Sequence, residues 1–242
     1  MEWYEAAFDQ MYPIMYGHRN LDEAVAVIDQ YGDVFAGRSP ILDLASGNGR
    51  YVEALRRKNL EAFGLDLSHY LLRSAVESWG HSGRLVQADM RVLPVKDDSV
   101  GGVINMFTSF GYFLADTDNL VVLREVHRIL RPGGVFLLDF INAAKVSANL
   151  LGATRRESGG YEIHETRRFE THGKYLVKNA ALINRATGDK EEIVERLRLY
   201  TKDELVLMIE SVGLAVRDVF GDYSRNPFVD GVSERVVIVS EK

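Results

Sequence analysis

Five short runs, "ILDLA" (41–45), "EAFGLD" (61–66), "RLVQAD" (84–89), "GGVINMF" (101–107) and "GVFLLDF" (134–140), are apolar or rich in β-forming residues. Each after the first follows a segment that reads as helix or loop, which is the spacing of repeated strand–helix units. Parallel strands joined by right-handed helical crossovers need both sheet faces covered, so the first 140 residues predict a doubly wound α/β layer. The helix signals agree. Asn20 with Glu23 three residues on opens a helix whose apolar positions are Leu21, Val25, Ile28 and Val34 or Phe35, with a weak point at Gly32. "DTDNLVVLREVHRIL" sets Leu120, Leu123, His127 and Leu130 on or near one face, and "RPGG" stops it.

The pattern changes after Asn142. "YEIHETRRFE", "KYLVKNAALINRA" and "EEIVERLRLY" alternate, with turn signals at "THG" and "ATGD", as antiparallel strands do. "TKDELVLMIESVG" then opens with a Thr201 to Glu204 capping box and closes at Gly213. The last two strands, "LAVRDVF" and "ERVVIVS", are separated by a loop too short for a helical crossover, so they pair antiparallel at one sheet edge. The expected fold is thus a mostly parallel, Rossmann-like seven-stranded sheet with an antiparallel C-terminal edge strand and a small antiparallel β insertion. The expected units are an N-terminal helical lid (1–36), a nucleotide-binding core (37–145 and 201–242) and an inserted β element (146–200).

Composition sets outer limits. The 242 residues are 46% hydrophobic and carry a formal charge of −6, which fits one well-filled domain and argues against a broad nucleic-acid footprint. The chain has no cysteine, hence no disulfide, thiolate metal site or cysteine nucleophile. Its start, "MEWYEAAFDQMYPIMYGH", is acidic and aromatic, and no apolar run approaches a membrane span, so the expected location is the cytoplasm. No clustered acids or His-x-x-His pattern reads as a metal site.

The turn in "ILDLASGNGRY" narrows the ligand. A glycine turn between strand and helix lets backbone approach a ligand, and the helix start offers free N–H groups. A dinucleotide fingerprint wants a third glycine where Val52 stands, and no Gly-Lys-Ser/Thr phosphate loop occurs. Asp43, inside the end of the first strand, would repel a pyrophosphate but suits a ligand with an ammonium group. Asp66, 17 residues beyond Gly49, stands where an acid accepts from both hydroxyls of a ribose, and Asp89 where one takes an adenine amine.

Taken in order, "LDLASGNGR", "GLDLS", "QADM", "NMFTSFGYF" and "LRPGG" resemble the successive motifs of class I S-adenosylmethionine-dependent methyltransferases, and of the small-molecule type with a β insertion before the last helix in particular. The resemblance implies S-adenosylmethionine as cofactor. It implies Asp43, Ser46, Gly47 and Gly49 at the methionine end, Asp66 at the ribose, Leu67 on the adenine face, Asp89 with Met90 at the adenine, and Asn105 with Phe107 near the sulfonium. Each has a plainer competitor: glycines serving only tight packing, Asp66 as a helix N-terminal acid, and Leu67 and Met90 as ordinary core.

Asn105 is followed by Met106, Phe107 and Thr108, a departure from the Asn-Pro-Pro-Tyr pattern of enzymes acting on nucleobases and glutamine. The expected reaction is methyl transfer to nitrogen or oxygen of a small molecule by in-line displacement, driven by proximity. The alternatives are an RNA-modifying methyltransferase, a non-catalytic S-adenosylmethionine-binding subunit and a nicotinamide oxidoreductase.

No catalytic constellation stands out. Tyr16, His18, Tyr112 and His164 are the candidate acid–base groups; Tyr12, Tyr16, Arg19, Tyr112 and Arg167 are the candidate acceptor contacts. The aromatic start (Trp3, Tyr4, Phe8, Tyr12, Tyr16) reads equally as a lid and as a staple. The insert reads either as a substrate cover or as the contact of a homodimer.

Overall fold

In a computed structural model, which describes residues 10–17, 19–80 and 83–242, the chain forms two sheets. The larger contains β1 (Ile41–Leu44), β2 (Ala62–Asp66), β3 (Leu85–Gln87), β4 (Val100–Asn105), β5 (Leu130–Ile141), β10 (Ala215–Phe220) and β11 (Arg235–Glu241). Its order is β10-β11-β5-β4-β1-β2-β3. All neighbours run parallel except β11, which pairs antiparallel with both β5 and β10, so the C-terminal hairpin closes one edge as expected. The smaller sheet is the insert: β6 (Ala153–Ser158), β7 (Tyr161–Glu170), β8 (Tyr175–Asn184) and β9 (Lys190–Arg198), antiparallel throughout.

Alternation along the central strands explains why both faces of the large sheet are covered. Ile41, Ile104, Leu137, Val237 and Val239 pack into one core with Ala24, Val27, Ile28 and Tyr31 of helix α2 (Leu21–Tyr31) and Val52 and Leu55 of α3 (Arg50–Arg57). Their neighbours Leu42, Leu44, Val103, Leu138, Val236 and Ile238 point the other way. They meet Val122, Leu123, Val126 and Ile129 of α5 (Asp116–Ile129) and Leu205 and Ile209 of α7 (Lys202–Ser211). Between these lie α4 (His69–Trp79) and α6 (Ala143–Asn149), and a single turn, α1 (Tyr12–Met15), precedes them all.

The punctuation follows the chemistry of the residues. Asn20 caps α2 by accepting from the Glu23 amide, and the helix tightens into a 3₁₀ turn (Gly32–Phe35) at the weak point. The capping box at Thr201 forms in full, its hydroxyl taking the Glu204 amide while the Glu204 carboxylate takes the Thr201 amide at 2.8 Å. The insert is tied back to the core by the buried Arg198, which reaches Asp116 at 3.1 Å and Glu204 at 2.6 Å, and whose amide donates to the Gly111 carbonyl.

Gly101 and Gly102 start β4 where the loop before β1 crosses it. A Cβ at Gly101 would fall 1.9 Å from the Arg38 carbonyl oxygen, and one at Gly102 would fall 2.6 Å from the Phe35 ring. Because the obstacle at 101 is backbone, Gly101→Ala should destabilise the protein by about 2 kcal/mol or more, read as a lower urea midpoint with an unchanged slope. An unchanged midpoint would show that this crossing is not rigid.

Candidate active site

The carboxyl ends of β1, β2 and β4 converge on a cavity of about 420 Å³. The turn after β1 is built for close approach: Ala45, Gly47 and Gly49 all have positive φ, and Gly49 sits left-handed at the N-cap of α3. Trp79, the last residue of α4, donates its indole N–H to the Asn48 carbonyl and fixes the loop from above. Asp66 braces it from the side, one carboxylate oxygen accepting the Gly47 amide at 2.7 Å and the other the Ser68 amide at 2.8 Å. Burial raises the Asp66 carboxyl, and these backbone amides oppose the shift.

Behind the turn lies a group of buried acceptors. The Asp43 Oδ2, Ser46 Oγ and Asn105 Oδ1 atoms are buried with no hydrogen-bond partner in the structure, while Asn105 is held in place by donating to the Leu44 carbonyl at 2.9 Å. Burial pushes the Asp43 carboxyl up to about 8, the Arg50 guanidinium pulling it down and the Asp66 charge adding to the rise. Unsatisfied acceptors of this kind are costly, and a ligand ammonium would relieve them.

The far wall rests on a buried ion pair that the sequence reading missed. Asp139, fully buried in β5, accepts two hydrogen bonds of 2.7 Å from Arg235 of β11, a third from the Tyr223 hydroxyl and a fourth from the Phe107 amide. Phe107 and Thr108 both carry positive φ, a strained pair for non-glycine residues, and the bonds to Asp139 and from Arg235 to the Thr108 hydroxyl hold it. The Phe107 ring thereby faces the cavity with the Arg19 guanidinium 3.3 Å from its centroid. The signal was available: Asp139 is an acid inside an apolar strand, as Asp43 is.

A second cavity, of about 400 Å³, adjoins the first, and Tyr12, Arg19, Phe107 and Tyr112 line both. Its other wall is the insert sheet, through Glu165, Arg167, Lys178 and Glu195. Helix α1 seals this side, Met11 and Met15 packing on Ile163, Ala180, Leu182 and Ile193, and Arg156 donating to the Met15 carbonyl.

The expected residues divide as follows. Gly47, Asp66, Leu67, Asp89, Met90 and Phe107 line the first cavity; Asp43, Ser46 and Asn105 lie behind it, and Gly49 starts α3. Burial alone would raise Asp89, but its bonds to the Arg91 side chain and amide outweigh this and hold its carboxyl low. Tyr12, Arg19 and Tyr112 border both cavities and Tyr16 and Arg167 the second. Tyr16 donates to Glu195 at 2.8 Å and accepts from Lys178; burial and the Glu195 charge raise its phenol, so it stands as a neutral donor rather than a base. Tyr112 is likewise raised by burial.

His164 is the misplaced candidate. Period two along β7 puts Glu165 and Arg167 on the cavity face and His164 on the opposite one, where it meets Glu162 at 2.6 Å. His18, Trp3, Tyr4 and Phe8 lie outside the described residues. Among the described residues no group of three metal-ligating side chains occurs, and no helix is long and apolar enough to cross a membrane.

Comparison with known proteins agrees with this geometry. Residues 41–134 match the family model described as a methyltransferase domain. YqeM of Bacillus subtilis, provisionally named as a methyltransferase, is 31% identical over 109 residues, 44% of either chain. The dTDP-3-amino-3,4,6-trideoxy-α-D-glucopyranose N,N-dimethyltransferase of Streptomyces venezuelae is 27% identical over 56% of this chain and 58% of its own. The chain thus spans about half the length of the curated relatives it matches. Among solved structures, the CcbJ methyltransferase of Streptomyces caelestis superposes with a TM-score of 0.83 at 19% identity, over 98% of this chain and 97% of that one. Residues 41–134 thus match a methyltransferase domain, and the fold is shared over nearly the whole length of the chain with CcbJ.

The buried ion pair is open to test. Arg235→Met leaves the Asp139 carboxyl buried and short of its main partner, so stability should fall by about 3–5 kcal/mol in chemical denaturation. A loss below about 1 kcal/mol would mean that the Tyr223 and Phe107 donors suffice without the arginine.

Proposed function

We propose that the protein is an S-adenosylmethionine-dependent methyltransferase acting on nitrogen or oxygen of a small molecule. The observation that carries this reading is the set of buried, partnerless acceptors Asp43, Ser46 and Asn105 behind a glycine turn braced by Asp66. A pyrophosphate would meet the Asp66 carboxylate and drive Asp43 further from its ionised form, whereas a nucleoside bearing an ammonium finds an acceptor at each place it needs one. When bound, S-adenosylmethionine supplies an electrophilic methyl group.

The rest is the work of the chain's own residues. Asp66 accepts from the ribose hydroxyls, Leu67 and Met90 flank the base, Asp89 accepts from its amine, and Phe107 closes the boundary between the cavities. The second cavity holds the acceptor beside that boundary, and its small volume favours a small molecule over a nucleic-acid strand. Among the described residues no histidine lines it, and its carboxylates Glu165 and Glu195 are engaged by cations, so an amine that arrives neutral suits it best. Similarity to an amino-sugar N,N-dimethyltransferase supports the same choice. Alignment and exclusion of water provide the rate.

Titration calorimetry with S-adenosylmethionine, S-adenosylhomocysteine and NAD tests the cofactor directly: the first two should bind and NAD should not, and binding of NAD alone would overturn the reading. Asp66→Ala should weaken S-adenosylmethionine by about 1.5–3 kcal/mol, and unchanged affinity in the folded variant would remove Asp66 from the ribose site.

Binding should also move a proton. With its carboxyl near 8, Asp43 is protonated at neutral pH in the ligand-free protein, and a ligand ammonium favours the ionised form. Calorimetry in buffers of differing ionisation enthalpy should therefore detect proton release at neutral pH that fades above about 8 and is absent in Asp43→Asn. Equal release from wild type and variant would place the ammonium elsewhere.

A further inference from the structure

We infer that the acceptor carries an oxyanion, a phosphoryl or carboxylate group, which seats in the second cavity against Arg167, Lys178 and Arg19. The inference rests on the methyltransferase reading and names the substrate class for it.

Three observations carry it. The first is charge: among the described residues, Arg19, Arg156, Arg167, Lys178 and Arg235 face this cavity against Glu165 and Glu195. Counting Asp139 behind Arg235 as well, the described residues still leave positive charge in excess, within a chain whose formal charge is −6. A cavity with low-dielectric walls concentrates such a field and draws anions in.

The second is register. Arg167 of β7 stands directly opposite Lys178 of β8, which stands opposite Glu195 of β9. Like charges directly across a ladder oppose pairing. Glu165 offsets part of that cost, lying 2.6 Å from Arg167 and 3.5 Å from Arg156, while Glu195 holds Lys178 at 2.8 Å. Among the described residues, two carboxylates shared among three cations leave one positive charge in excess on this wall, and an oxyanion between Arg167 and Lys178 balances it.

The third is the opposite wall. Arg19 lies over the Phe107 ring, and its Nε is buried without a hydrogen-bond partner. Because Arg19 borders both cavities, an anion bonded to it lies at the edge of the place where the acceptor atom must wait. The oxyanion is therefore an anchor that aligns the nucleophile, and the guanidinium forks supply the geometry for it.

The test uses the whole protein loaded with S-adenosylhomocysteine. It is titrated in parallel with inorganic pyrophosphate, inorganic phosphate, malonate and uncharged glucose, at low and high sodium chloride. At least one oxyanion should bind and glucose should not, with affinity falling as salt rises. Binding of the phosphates alone assigns a phosphoryl group, and binding of malonate alone a carboxylate. Arg167→Gln should weaken the anion by about tenfold or more, the scale of one charge-assisted hydrogen bond, while S-adenosylhomocysteine binds as before, since Arg167 does not line the first cavity.

Arg156→Gln, on a more exposed side chain, serves as the second variant should the first fold poorly. No oxyanion binding in protein that holds S-adenosylhomocysteine, or equal binding by wild type and both variants, overturns the inference. Failure to hold S-adenosylhomocysteine overturns the methyltransferase reading instead, whatever the anions do.

Discussion

The buried pair of Asp139 and Arg235 is the constraint on which the site depends. An isolated carboxylate in the middle of a sheet would be costly, and four hydrogen bonds answer this one. What the arrangement obtains is position. It joins β5 to β11, pins the loop that carries Tyr223, and holds Phe107 and Thr108 in backbone conformations they would otherwise leave. The face of the first cavity that carries Phe107 is therefore set by electrostatics one layer behind it.

Three aspartates at the sheet's carboxyl side show how one residue type is given separate tasks. Asp139 has its full complement of donors and is structural. Asp66 accepts from the backbone amides of Gly47 and Ser68, which shape the glycine turn at the cavity edge. Asp43 has an oxygen without a partner and a carboxyl pushed up to about 8, so it is the one whose charge a ligand can change. Parallel β-strands end together, and that common edge is why residues far apart in sequence share a cavity.

The fold was largely legible because its signals are local and consistent: apolar runs of strand length, caps at Asn20 and Thr201, and a change of period after Asn142. The turn and Asp66 were legible for the same reason, being placed by their own strand ends. What stayed hidden depends on cross-sheet pairing. Nothing near Arg235 in the sequence says that it faces Asp139, and nothing near Arg167 says that Lys178 stands opposite. His164 failed as a candidate because alternation decides a side chain's face only once the register is known. Asp139 was the avoidable miss, since an acid within "FLLDF" asks for a buried partner as plainly as Asp43 asks for a ligand.

The insert changes what the common α/β core can do. Its charged antiparallel face lines a second chamber, which shares Tyr12, Arg19, Phe107 and Tyr112 with the first. The two chambers differ in character. The first is lined by strand ends and backbone amides fixed by the core, whereas the second is lined by long side chains on an inserted sheet. Changes at Arg167, Lys178 or Glu195 alter the second chamber without touching the turn after β1. On the proposed function, selectivity for the acceptor is thus physically separable from binding of the nucleotide, and the aromatic and guanidinium groups at the boundary are where the two must be kept in register.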